Sequence, residues 1–505
     1  MTSLSDVMFK AMMDWSPTYA TQLGIPGWDD RLDDLSVDGH QAMRSRLVDI
    51  LARVDESDED PVSRAVIRHQ AESIITEIDA RLVEHTVASG FSAPVAALLA
   101  VASVVDYSQR LHQIPRFLEQ AGERLLNTDR RPLRRHAESG AAHLERFLAS
   151  PVQEWEGDAD LRPAFARFRE ILLELPGRDD EQAGLCWLPE GEANYAKLVR
   201  DYTTSSYTPA ELHELGLDLM ARLREEYAEI GSSVWGTKDV PEIFQRLRTE
   251  LLWVNENDML TTAVEAVARA EREAPNWFSR VPQAPCDVRF VTEMDREASP
   301  LAFYVEAALD GSRPGTYFVN PLGAKERSRT LAEVLAFHEA VPGHHFQATI
   351  AAETELSNVR KFASIDSYLE GWGLYTERLA DEMGLYSSQE ARLGMLGLDA
   401  TRAGRLVVDT GMHAFGWSRQ KAADYLRENT VMPEPEISAE IDRYIEAPGQ
   451  ALAYMVGRLE ILRLRGEAEA RMGERFDIKA FHDLVLENGP VPLSTLGDLV
   501  AGWSA

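Results

Sequence analysis

Cysteine is nearly absent. Cys186 and Cys286 are the only two in 505 residues, and they lie far apart. That argues against a disulfide framework, rules out a cysteine-built zinc cluster by number, and fits a reducing compartment. Basic residues are short as well. Lysine and arginine total 52 against 83 aspartates and glutamates, a formal net charge of −31. Such a chain repels phosphate backbones and anionic bilayers, so neither nucleic acid nor membrane is an expected partner. No apolar run approaches the roughly eighteen residues of a membrane span. The first twenty residues, MTSLSDVMFKAMMDWSPTYA, lack a basic stretch followed by an apolar one. No signal peptide is expected there, and the expected location is cytoplasmic.

What the chain does contain is helical periodicity. Residues 60–86, 141–149 and 160–174 place apolar side chains at three- and four-residue steps. In TPAELHELGLDLMARLREEYAEIG, Thr208 is an N-cap, Pro209 the first helical residue and Glu211 the partner of a capping box, with Gly231 as the stop. Another helix covers 451–472 and ends near Gly473. CDVRFVTE (286–293) and GTYFVNP (315–321) instead alternate and are β-branched and aromatic, which predicts a small sheet of two or three strands. RRPLRRH (130–136), the one basic cluster, reads as a solvated face. Glycine- and proline-rich joints fall near 175–192, 311–324 and 431–436. The first divides an N-terminal helical half, 1–185, from a half carrying the chemistry, 186–505, within one expected structural domain.

The chemistry centres on HEAVPGHH, residues 338–345. A zinc-peptidase helix reads H-E-x-x-H, with both histidines on one face. Here Pro342 stands where the second histidine belongs. In a regular helix His344 lies about 120° from His338, and His345 about 10 Å further along the axis. Neither position lets two imidazoles meet one ion. Pro342 forbids a regular helix, however, because it lacks an N–H and its ring clashes with the His338 carbonyl. With Gly343 beside it, the turn can bulge and swing His344 back toward His338. The bland alternative is that Pro342 ends the helix and His344 and His345 are surface residues.

A second motif, SYLEGWGLYTE (367–377), weighs against the bland reading. Two-His-one-Glu zinc sites take a carboxylate from a following helix, and Glu370 fits that role. Glu377, seven residues on and so on the same face, suits a carboxylate that orients a ligand histidine. Glu339, next to a ligand, would serve as general base toward water on a metal that lowers its pKa and polarises a carbonyl. A hydrogen-bond donor for the oxyanion is then needed. Candidates are His413 in RLVVDTGMHAFGWS, and Tyr444, Gln450 and Tyr454 in RYIEAPGQALAYMVGRLE. The strand TYFVN, with Tyr317, could offer its edge to an extended peptide.

HEAVPGHHFQ, YLEGWGLYTE, RLVVDTGMHAFGWS and APGQALAYMVGRLE, in that order, resemble the bacterial "domain of unknown function 885" family, as does WLPEGEANYAKLVRDYTTSSYTPAELHELGL (187–217). That family in turn resembles helical gluzincin peptidases of the Taq-carboxypeptidase, angiotensin-converting-enzyme and thimet-oligopeptidase types. The resemblance implies a mainly α, prolate, metallopeptidase-like fold with a deep central channel and a small β-sheet near the active site. The N-terminal half would serve as its lid or channel wall. It also implies one zinc ion per chain, held by His338, His344 and Glu370, with His345 as the reserve ligand.

The reading is a zinc metallopeptidase acting on short peptides or a peptide-like amide, as a monomer or homodimer. Glu339 is the base, and Tyr454 and His413 are catalytic donors. Tyr317 and Gln450 are substrate-binding candidates. Arg402, Arg405 and Arg458 could anchor a C-terminal carboxylate, which would make it a carboxypeptidase. The rivals are a metal-dependent hydrolase of a specialised non-peptide amide and a helical binding protein without catalysis.

Overall fold

Two of the expected helices begin where the sequence supplies a cap. Asp60 accepts from Val62 and Ser63 N–H groups at the head of Pro61–Ala80. Thr208 and Glu211 complete the predicted capping box at the head of Pro209–Trp235. The expected stop at Gly231 is not one. That helix runs to Trp235 and stops at Gly236, which has φ +71°. Gly231 lies inside it because a Cβ there would meet the Ile243 side chain at 2.2 Å. Packing against the helix Val240–Thr249 demands this glycine.

The computed structural model describes residues 3–88, 92, 108–149, 158–293, 296, 299–309, 311 and 313–504. The described residues are mainly helical, with one three-stranded sheet. They divide into two compact units. The first takes Met1–Asp201, Asp409–Ala423 and Ser438–Gly449, and the second takes the rest. The joint expected near residue 185 therefore falls inside the first unit's longest segment.

In the first unit, the helices Ile114–Leu126, Arg134–Ala149 and Asp158–Glu174 enclose a core of Phe117, Leu118, Leu144, Phe165 and Phe168. The basic cluster is a solvated face only in part, with the Arg134 side chain 64% exposed. Arg130 is fully buried and donates to the Ala80 and Pro189 carbonyls. His136 sits between two carboxylates, its Nε2 3.0 Å from Asp442 and its Nδ1 3.2 Å from Glu446. Buried polar groups need partners, and here the pattern of charges supplies them.

In the second unit we label the elements around the HEAVPGHH segment: α1 (Glu256–Trp277), β1 (Asp287–Phe290), β2 (Ala302–Val305), β3 (Thr316–Val319), α2 (Leu331–Glu339), α3 (His344–Glu353), α4 (Asp366–Glu382), α5 (Gln389–His413) and α6 (Ala453–Met472). The last residues of α5, from Asp409, belong to the first unit. The sheet order is β1-β3-β2, with β3 parallel to β1 and antiparallel to β2. The TYFV strand is therefore central, and the expectation that it offers an edge to a peptide is overturned. Both of its sides are already hydrogen-bonded. α4 packs most extensively on α6. The contact is glycine on glycine: a Cβ on Gly371 would lie 2.5 Å from the Gly457 Cα. No helix among the described residues is long and apolar enough to cross a membrane.

Candidate metal centre

The segment between His338 and His344 is a break rather than a bulge. α2 ends at Glu339, the four residues Ala340–Gly343 turn, and α3 begins at His344. Gly343 passes so close to α2 that a Cβ would lie 1.8 Å from the His338 carbonyl oxygen. Only glycine fits there. The result is the juxtaposition that a continuous helix forbids, with the His338 and His344 rings 4.7 Å apart at 85°.

α4 holds this turn in place. Trp372 Nε1 donates to the Pro342 carbonyl at 2.9 Å, and Thr376 Oγ1 donates to the Phe337 carbonyl at 3.1 Å. Each satisfies a carbonyl that the broken helix leaves unpaired. Trp372 is braced by Phe278, Tyr375 and His482. Trp372, Gly373 and Thr376 are not among the site residues expected from the sequence. The signal was present in EGWGLYTE, since Glu370, Gly373 and Glu377 fall at i, i+3 and i+7 on one face.

The ring of His338 lies on that face. A Cβ on Gly373 would approach three of its ring atoms within 2.6–2.9 Å, so the glycine makes room for the imidazole. The two carboxylates flank it. Glu377 Oε1 lies 2.9 Å from Nδ1, and Glu370 Oε2 lies 3.4 Å from Nε2. Glu370 Oε2 is also 3.4 Å from His344 Nε2. His338 and Glu377 are buried, whereas His344 and Glu370 keep 17% and 21% side-chain exposure.

Burial works against a charged His338, but contact with Glu370 and Glu377 outweighs it and raises the pKa to about 10. Glu370 is held well below the usual carboxylate range, burial notwithstanding, by the two imidazoles. The pocket thus has an excess of negative charge that a cation in the place of a proton would relieve.

The donor set fits a metal ion. Donor atoms of His338, His344 and Glu370 all lie within 4.8 Å of one another. Two ligands about 2.1 Å from one ion at a tetrahedral angle stand about 3.4 Å apart, the distance from Glu370 Oε2 to each imidazole nitrogen. That oxygen is buried and makes no hydrogen bond. No other such group of three occurs among the described residues.

The remaining candidates divide. His345, the reserve ligand, is engaged elsewhere. Its Nε2 donates to the Ala284 carbonyl at 3.1 Å and its Nδ1 faces the Tyr304 hydroxyl at 3.0 Å, while burial lowers its pKa to about 4. His413 lies in the first unit with both nitrogens used. Nδ1 accepts from Leu185 N–H at 3.0 Å, and Nε2 donates to the Tyr444 carbonyl at 3.0 Å. It is a satisfied core histidine and not a free donor. The Tyr444 hydroxyl likewise donates to Glu440. Gln450 donates to Asp366 at 3.0 Å, which ties it to the first residue of α4.

The three arginines turn inward. Arg458 pairs with the fully buried Asp399, which also holds Arg378. Arg402 Nη2 lies 3.9 Å from Glu377 Oε1, and Arg405 stacks 4.5 Å from the Tyr454 ring centroid. All three are buried. Tyr454 itself is half-buried on α6 between these guanidinium groups. Glu339 is buried beside the ligand His338, and Tyr317 is fully buried in the central strand with Glu339 as its nearest influential charge.

The fold and site define a mainly helical protein with a candidate two-histidine, one-glutamate metal centre. The chain belongs to the family described as "Bacterial protein of unknown function (DUF885)", which matches residues 17–500. Its fold is similar to two solved structures. One is a "putative lipoprotein from Colwellia psychrerythraea", with TM-score 0.89 and 24% identity over 99% of this chain and 98% of that one. The other is a "putative lipoprotein of unknown function from Shewanella oneidensis", with TM-score 0.78 and 18% identity over 99% of each chain. No curated protein matches the sequence.

Proposed function

We propose that the protein is a zinc-dependent metallopeptidase acting on short peptides or a peptide-like amide. The observation that carries this reading is Glu370 Oε2, an orphaned buried oxygen at 3.4 Å from the Nε2 atoms of both His338 and His344. Two imidazoles and one carboxylate suit zinc and leave a position open for catalysis. Zinc bound there supplies a Lewis acid for a scissile carbonyl and brings the pKa of water toward about 7.

The chain's own residues carry the proton and the geometry. Glu339, adjacent to a ligand, accepts the proton of the attacking water and delivers it to the leaving amine. Glu377 holds the Nδ1 side of His338, so that Nε2 would be the atom left to hold the metal. Arg402 offsets the charge of the buried Glu377. Tyr454, on the same unit, is the candidate donor to the oxyanion. The metallopeptidase-like channel that the resemblance implies belongs to this proposal, as does one zinc per chain. The acidic balance supports a small substrate and no nucleic acid.

The test is metal content and peptide hydrolysis together. The purified protein is expected to carry about one zinc per chain. Glu370→Ala and His344→Ala should lose it, and His345→Ala should keep it. Glu339→Gln should keep zinc and lose roughly 10²-fold or more in kcat. A wild-type protein that takes up no metal when zinc is supplied would overturn the reading.

A further inference from the structure

Six of the nine residues of α2 are buried. The three that are not, Leu331, Ala332 and Leu335, all line one cavity of ≈ 30 Å³. Its other walls include Trp253, Met259 and Ala263, Tyr317 and Val319 of β3, and the polar pair Arg327 and Ser328. That is room for about two waters, but the walls are almost entirely apolar. An apolar cavity holds water poorly and an aliphatic group well.

The cavity's position gives it meaning. Ala332, Leu335 and Glu339 stand at i, i+3 and i+7, so they share one face of α2. The cavity wall at Leu335 therefore lies a single helical turn from Glu339. Tyr317, fully buried in the central strand, lines the same cavity from the sheet side.

We infer that this cavity receives a small branched aliphatic side chain of the substrate, valine- to leucine-sized, next to the bond that is cut. The inference rests on the peptidase reading above and adds the substrate's side-chain class. An apolar pocket distinguishes aliphatic groups by about tenfold or more per methylene, so the preference should be measurable.

The experiment uses the zinc-loaded full chain and blocked dipeptides carrying Gly, Ala, Val, Leu or Phe on either side of the cleaved bond. The wild type should favour Val or Leu over Ala by at least about tenfold in kcat/KM at one of the two positions. Ala332→Leu fills the cavity and should bring that ratio close to one. Leu335→Ala enlarges it and should shift the preference toward Phe. Opposite shifts from the two variants, at unchanged zinc content, distinguish a specificity pocket from a packing defect. No preference at either position, or a ratio that neither variant moves, overturns the inference. If the wild type cleaves none of the peptides, the peptidase reading fails instead. Saturation-transfer NMR with isobutanol then decides the cavity. Transfer in the wild type that is lost in Ala332→Leu keeps it as an aliphatic ligand site, and no transfer overturns that too.

Discussion

A histidine's role here is decided by what its second nitrogen touches. His345 and His413 each spend both nitrogens on neighbouring groups and have nothing left for an ion. His338 spends Nδ1 on Glu377 and points Nε2 at Glu370. The surface that sets this ring is Gly373. A methyl group there would meet three imidazole atoms within 2.6–2.9 Å, too close for any relaxation but displacement of the ring. Gly373→Ala is therefore expected to lower zinc affinity by at least about tenfold, near 1.4 kcal/mol, with helix content unchanged. Competition against a chromophoric chelator measures it. Wild-type affinity in this variant would show that the ring does not rely on α4 for its place.

At the scale of elements, the charges that read as solvated surface are structural joints. His136 belongs to the helix Arg134–Ala149, and Asp442 and Glu446 to the helix Glu434–Glu446. Burial works to lower the pKa of His136, but the two carboxylates raise it to about 9. Asp442 is held below its ordinary range, burial notwithstanding, by His136 and Arg419. The sign follows from linkage. A histidine raised above its unfolded value of 6.5 contributes fully below pH 6.5 and loses that contribution as pH climbs through 9. The depressed Asp442 contributes above its ordinary 3.8 and loses it as pH falls below that value. His136→Leu should thus cost about 3–5 kcal/mol near pH 6, the range for breaking a buried ion pair. Urea unfolding should show a smaller gap between wild type and variant at pH 9 than at pH 6. An equal gap at both values would mean that the imidazolium charge contributes nothing. The basic run was misread because sequence shows that RRPLRRH is charged but not that acids 306 and 310 residues away close over it.

Over the whole molecule, the candidate metal centre draws on α2, α3 and α4, which lie in the second unit together with the sheet. An ion bound only by the folded protein stabilises it by mass action, by about 4 kcal/mol when free metal exceeds Kd a thousandfold. Stripping the protein with a chelator should lower the calorimetric melting temperature of the transition that includes residues 202–408, and zinc should restore it. A thermogram identical with and without metal would mean that the native site binds none. The net charge of −31 bears on how the molecule meets other charged surfaces but does nothing to place the site.

Local chemistry was legible from the residues alone. The capping box at Thr208, the helix ending at Gly473 and the positions of two strands depend on neighbours a few residues away, and periodicity reports those. Family membership and the histidine and glutamate members of the cluster were readable for the same reason, because they sit in compact motifs. The third strand, Ala302–Val305, was not, and neither was the central place of β3, since strand order is a matter of long-range pairing. The spacing of HEAVPGHH showed that a regular helix could not make a site. Only the tertiary structure decided how the chain escapes that constraint. Trp372 and Thr376 catch the carbonyls of a broken helix, and three glycines let backbones and rings approach to distances that no side chain would permit.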